Sequence, residues 1–435
     1  MLMTKREKAV NRSFLAIMLV LGLSACAPQA DMGEEIPQSL STLPAKVDQM
    51  STEERDRLAA ALDPVLIKSQ NTLGIQLMEE LRDQEAAPKN VLISPYSIAS
   101  ALTLAYTGSN GVTEQEMAEV LGLTGLSMEE VNEASRIYMQ LLNSPGQGVE
   151  LMTANSVWVD AGYTLKPAFL ETAGTSYGAE ILEAELSSEE AMNSINTWVS
   201  ERTEGLIDKM LSEPLDSAVR AYLLNALYFK GTWLYTFDEN LTKEGAFTTG
   251  DGTELNIPMM HDTNPYGYKE SEDWQAVRLP YRDSSMNMLV ILPAEGKSLD
   301  DTMKQLIQQP EVFAAPFDEH RIQLSMPKYK VEYEAGLVDP FMNMGMKSAF
   351  EDADFSRMSE GDLFISDIQH KAVLEVNEKG SEAAAATSVA MEESGAMVAD
   401  TKVMNINRPF FTVIEDEDTG AWLFVGSINN PRGAQ

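Results

Sequence analysis

The pentapeptide Gly174-Thr175-Ser176-Tyr177-Gly178 has the spacing of a nucleophilic serine raised on a sharp turn. That chemistry needs a strand before the serine and a helix after it. Here Lys166 to Glu171 opens as a helix, Gly178 suits a helix end, and Ala179 to Leu182 reads as extended. The order is reversed, so Ser176 is set aside as a nucleophile. Asp416-Glu417-Asp418-Thr419-Gly420 starts like a calcium loop but lacks the glutamate at the twelfth position, and strand patterns flank it, so it reads as a hairpin turn. With His261, His320, His370 and a single cysteine, no zinc spacing exists, and no glycine loop could cradle a phosphate. Neither a metal nor a cofactor is implied.

The stretch from Glu378 to Lys402 is the most unusual. Strand patterns flank it, Lys371 to Val376 before and Pro409 to Ile414 after, yet it holds little apolar bulk. Its alanine run, Ala383 to Ala386, suits a helical turn. Read with a period of two, however, one face is Ser381, Ala383, Ala385, Thr387, Val389 and Met391, all small or apolar, and Glu393 is the first charge on that face. Composition alone leaves both readings open.

The chain has 435 residues, 44% of them hydrophobic, which is ample for a large core. With 32 basic against 67 acidic side chains the formal charge is -35, which excludes nucleic acid as a natural partner. At the N-terminus Lys5, Arg6, Lys8 and Arg12 precede an apolar run from Phe14 to Leu23, and Leu23-Ser24-Ala25-Cys26 follows. This resembles a bacterial lipoprotein signal. Residues 1–25 would be removed and Cys26 lipidated, giving an envelope protein without disulfides, and Ala27 after the cysteine favours the outer membrane. Residues 26–63 are polar and proline-punctuated, and read as a tether with one short helix.

From Pro64, apolar residues at helical spacing run to Leu81. Asn90 to Leu102 reads as a brief strand feeding a helix, with Ser94 as cap and Pro95 in its first turn. Strands are expected over Ala154 to Val159, Leu223 to Phe229, Met288 to Leu292, Ile322 to Met326 and Val373 to Val376, with two more at the C-terminus. Helices early and strands late argue for an α+β fold, and without repeats or linkers residues 64–435 read as one domain.

Several of these stretches together resemble the serpin family, over residue 64 to Pro431. Asn90 to Leu102 contains its Ser-Pro-x-Ser segment, Asn225 to Trp233 its Asn-x-x-x-Phe-Lys-Gly-x-Trp strand, and Met326-Pro327-Lys328 its later Pro-Lys strand. Glu375 to Ala386 matches the Glu-x-Asn-Glu-x-Gly-Ser-Glu-Ala-Ala-Ala-Ala pattern, and Asn407 to Phe410 with Phe424-Val425-Gly426 closes the chain in the family's manner; Thr412 stands where the family is usually apolar.

The resemblance implies three β-sheets, about nine helices and an exposed reactive loop. It implies a monomeric inhibitor of serine proteases, extending to cysteine proteases, and no enzyme. Glu378, Gly380, Ser381, Ala383, Ala384, Ala385, Ala386 and Thr387 would form the hinge. Ser94, Ser97, Asn225 and His370 would latch the main sheet, with Trp233 beneath the hinge and Lys328 paired to Glu378. Spacing from Glu378 puts the scissile bond at Ser394-Gly395. The segment to Pro409 is longer than in many relatives, which makes Met397-Val398 the alternative. The competing expectation is a non-inhibitory binding or chaperone-like member of the same fold.

Overall fold

The computed structural model describes residues 50–84, 88–309, 312–313, 315–361, 363–381 and 401–432. Its helical part comes first: α1 (Thr52–Ala61), α2 (Pro64–Asp83), α3 (Pro95–Gly108), α4 (Gly111–Val120) and α5 (Met128–Leu142), with β1 (Val91–Ile93) between α2 and α3. Ser127 and Glu130 cap α5 reciprocally, and Asp63 caps α2 ahead of Pro64, so both starts are fixed locally. Then come β2 (Val149–Asp160), α6 (Pro167–Tyr177), β3 (Glu180–Ala184), α7 (Glu189–Arg202) and β4 (Ala221–Thr232).

The rest is mostly strand: β5 (Lys243–Thr248), β6 (Glu254–Glu270), β7 (Trp274–Pro280), β8 (Met286–Pro293), β9 (Asp318–Pro327), β10 (Tyr329–Gly336), β11 (Gln369–Asn377), β12 (Gly380–Ser381), β13 (Lys402–Asn405), β14 (Phe410–Asp416) and β15 (Ala421–Ile428). Helices α8 (Leu299–Gln308) and α9 (Val338–Met344) interrupt it, giving nine α-helices whose ends fall among the described residues.

One sheet has six strands in the order β10-β11-β12-β4-β2-β3. The remaining nine strands form a continuous ladder, β1-β15-β14-β8-β7-β6-β9-β13 with β5 on β6. Long β6 makes this two sheets in one: its first half pairs with β5 and its last residues with β7, while β9 runs along the middle. The expected α+β fold with three sheets is present.

Alternation along the six-stranded sheet separates two cores. Trp158, Tyr222, Leu224 and Val373 pack on one face with Ile195, Trp198 and Val199 of α7. Val157, Leu223, Leu227, Phe229 and Leu374 point the other way, into the main core shared with α2, α3 and the nine-stranded ladder. Asn225 and His370 share the parity of that second face.

The acidic stretch that imitates a calcium loop forms the β14–β15 turn. Its carboxylates are sorted by the same alternation. Arg278 pairs with Glu415 at 2.6 Å and lies 3.9 Å from Glu417, whereas Arg55 of α1 pairs with Asp416 at 2.8 Å and Asp418 at 2.6 Å. Arg278 also lies over the Phe317 ring and donates to the Phe313 carbonyl at 2.9 Å. Burial pushes the Glu415 carboxyl up to about 7 against the pull of Arg278.

Replacing Arg278 by leucine should therefore destabilise the fold by about 3 kcal/mol at pH 8, where Glu415 must either be buried as an unpaired carboxylate or take up a proton that the unfolded chain does not hold. The loss should shrink at pH 5, where the carboxyl takes up a proton. Urea unfolding at the two pH values measures the difference, and equal losses would contradict it.

Candidate functional site

The six-stranded sheet contains one parallel pair at its edge, β2 with β3, and a second inside it. β4 and β11 are parallel and meet directly at a Leu223–Ile368 bridge. At their other ends β12 lies between them, antiparallel to both: Ser381 stands opposite Val376 and Gly231, and Gly380 opposite Asn377 and Thr232. The chain thus turns back after β11 and begins a new strand in the slot, of which the described part is Gly380 and Ser381.

Close packing at the mouth of the slot explains the residue types there. A Cβ on Gly380 would lie 1.9 Å from the Gly231 carbonyl oxygen, and one on Gly231 would lie 2.4 Å from the Tyr281 ring. Both positions need glycine for backbone approach. Tyr281 stacks on Trp233 with centroids 4.7 Å apart, and its hydroxyl hydrogen-bonds the Ser381 hydroxyl at 2.6 Å. Ser381 is fully buried, so the odd-numbered face of the incoming strand is the inward one.

The turn itself is tied on three sides. Trp233 donates its indole N–H to the Asn377 carbonyl at 2.9 Å and its backbone N–H to the Lys379 carbonyl at 3.0 Å. The backbone N–H of Phe237 donates to the Glu378 carbonyl at 2.9 Å. The Glu378 side chain, 8% exposed, accepts from Lys328 and from Thr242, each at 2.9 Å. Burial works to raise the Glu378 carboxyl, but these donors outweigh it and hold it below the usual range.

Lower in the slot the latch residues come together. Ser94 caps α3, accepting from the Ser97 N–H at 3.1 Å, and its own N–H donates to His370 Nε2 at 3.3 Å. The Ser97 hydroxyl donates to Asn225 Oδ1, and Asn225 Nδ2 donates to Asn155 Oδ1. Asn155 in turn donates to the Ser100 hydroxyl at 3.2 Å and the Tyr177 carbonyl at 3.1 Å. Burial drives the His370 pKa down to about 4, so the ring is neutral and can accept.

Ser94, Ser97, Asn225, His370, Trp233, Lys328, Glu378, Gly380 and Ser381 thus lie along one slot. Ala383, Ala384, Ala385, Ala386, Thr387, the bond candidates Ser394-Gly395 and Met397-Val398, and Cys26 lie outside the described residues. Ser176 lies inside α6, with helix on its N-terminal side rather than the strand a nucleophile turn requires. Tyr281, Thr242 and Asn155 were missed by sequence reasoning. Asn155 alone left a signal, as a polar residue inside an apolar strand pattern.

Comparison with known proteins bears on this slot. The model of the Serpin (serine protease inhibitor) family matches residues 68–431. An uncharacterised serpin-like protein of Thermococcus kodakarensis is 34% identical over 398 residues, covering 91% of each chain. Iripin-8 of Ixodes ricinus is 34% identical over 382 residues, 84% of this chain and 93% of that one. The native structure of the thermophilic serpin tengpin superposes with a TM-score of 0.76 at 29% identity, covering 88% of this chain and 96% of that one. Thyroxine-binding globulin in complex with thyroxine gives 0.75 at 26% identity, covering 84% of this chain and 99% of that one.

His370 makes this hydrogen-bonded network sensitive to pH. Its folded pKa is about 4 against an ordinary 6.5, so the unfolded chain binds the extra proton between those values. The contribution of the neutral ring is complete above about pH 6.5 and is lost as pH falls towards 4, a total on the order of 3 kcal/mol. Thermal unfolding at fixed scan rate between pH 7.5 and 4.5 should show this slope, and His370→Gln should flatten it. An unchanged slope in the variant would place the acid sensitivity elsewhere.

Proposed function

The chain belongs to the serpin family, and from that premise we propose that it is a suicide substrate, in which the segment after Ser381 is first bait and then the strand that fills the slot. Serpins as a class are protease inhibitors rather than enzymes, and their partners are proteases. Loop insertion is the family's known transition. The reading specific to this chain concerns which residues insert and where they stop.

The register at Ser381 carries it. Continued rung by rung, the strand begun at Gly380 would bring Thr387 opposite His370 on β11 and opposite Asn225 on β4. Both neighbours converge on the same residue, and its parity faces the core, as Ser381 does. Val389 would then come opposite Leu223, where the parallel bridge now closes the sheet, and Met391 opposite Ala221, the first residue of β4. Glu393, the first inward charge, would fall beyond that strand. The small inward residues therefore end where β4 begins. A side chain entering between the strands must displace the latch, and a large or charged one would lose its solvation there.

In this scheme the nucleophile belongs to the protease. Its hydroxyl, or thiol in a cysteine protease, attacks the Ser394 carbonyl, the bond to Gly395 breaks, and the amine of Gly395 leaves with the proton. The freed strand enters the slot carrying the acyl-enzyme before water can release it. A small Ser394 suits elastase-like or subtilisin-like pockets, whereas the alternative bond Met397-Val398 suits chymotrypsin-like ones. Glu392 and Glu393 also suit a glutamate-specific protease. The same proposal places the protein as a monomer held at the bacterial envelope by lipid on Cys26, in the outer membrane.

Incubation with an elastase-like or subtilisin-like protease should give a covalent adduct that survives denaturing electrophoresis, with mass spectrometry placing it on Ser394. Thr387→Arg should still be cut but should yield at least about tenfold less adduct, since charge would have to pass the His370 rung. Clean cleavage of the wild type with no adduct, and no gain in thermal stability after cleavage, would instead support the non-inhibitory reading.

A further inference from the structure

Helix α1 lies ahead of the segment that the family model matches, and it docks in an unusual way. None of its residues is fully buried; Leu58 and Ala59 touch the core only in part. Arg55 is the exception to this loose seating, with a side chain only 12% exposed. All five guanidinium N–H groups have an acceptor. Nε donates to Asp418 at 2.6 Å, Nη1 to the Leu141 and Ser144 carbonyls at 3.1 and 3.0 Å, and Nη2 to Ser285 Oγ and Asp416 Oδ1, both at 2.8 Å.

Asp416 is completely buried. Its remaining donors are the Ser285 hydroxyl at 2.6 Å and the Thr419 hydroxyl at 2.9 Å. One buried carboxylate therefore joins the β14–β15 turn to the β7–β8 turn, and among the described residues its charged partner at hydrogen-bond distance is Arg55 of α1. The β7–β8 turn is short: the Tyr281 N–H donates to the Met286 carbonyl at 3.0 Å, with Arg282 to Ser285 between them and Asp283 at φ 48°. At one end of this turn Ser285 touches Arg55. At the other, Tyr281 touches Ser381.

We propose that α1 is a strap whose Arg55 fixes the β7–β8 turn, so that the grip of Tyr281 on the first inserted residue depends on α1 being seated. The strap is detachable in principle because a single side chain, rather than an apolar face, carries most of its hold. Pulling on the chain ahead of α1, so that Arg55 leaves its acceptors, would thus act on the hinge without touching the loop. The inference rests on the geometry around Ser381 and needs no protease, so it stands or falls separately from inhibition.

Hydrogen exchange on the full chain tests it. In Arg55→Met, amides of 281–286 and 377–381 should exchange about tenfold faster or more, while the β6–β9 ladder keeps its wild-type rates. Arg55→Lys, which keeps the charge but not the five-donor fork, should fall between, and it carries the test if the methionine variant does not fold. Faster exchange confined to α1 and 415–420, with 281–286 and 377–381 at wild-type rates in both variants, would overturn the proposal.

Discussion

The structure depends on a directional mismatch within one sheet. β4 and β11 are parallel neighbours in a sheet otherwise built largely from antiparallel pairs, and parallel pairing is slightly weaker per residue. A strand entering between them can be antiparallel to both, exchanging a single parallel bridge for two antiparallel ladders. The turn at Glu378 and Lys379 sends the chain back in the required direction. β12 is therefore a beginning whose continuation the neighbouring backbones already specify.

Side chains along the slot fit that reading by their chemistry. At the top, glycines let backbones approach and Tyr281 sits under Ser381. In the middle, a neutral histidine and two asparagines are linked through Ser94 and Ser97 in a chain of hydrogen bonds that buries no charge. Breaking such a buried network would leave polar groups unpaired, so under the proposed insertion it acts as a barrier as well as a support. Charges are kept to the margins, on Glu378 with Lys328 and in the β14–β15 turn.

Much of this was legible from residue order. The strands carrying Asn225 and His370, the strand ends beside Trp233 and Lys328, the helix start at Ser94, and the turn at Glu378 follow from local pattern and from resemblance. β5, β6 and β7 were not legible, because Pro258, Pro265 and a run of polar residues break the alternation along β6. Tyr281 was missed because its partner lies 100 positions away in sequence and a turn tyrosine carries no local signal. Arg55 was hidden for a related reason: α1 has no apolar stripe, and its docking depends on the shape of an acceptor site assembled from three distant segments. The period-two character of 381–391 was visible at once, but only the register at Ser381 gives that character a destination.

Under the proposed trapping, the formal charge of -35 has a kinetic consequence. An inhibitor consumed in a single turnover is ranked by how fast it meets its target, not by an equilibrium constant. A strongly anionic body draws in cationic enzymes and slows the approach of anionic ones, and salt erodes that bias over a Debye length of about 8 Å in physiological media. Surface charge would then act as a first selection among proteases, made before any side chain of the loop is probed.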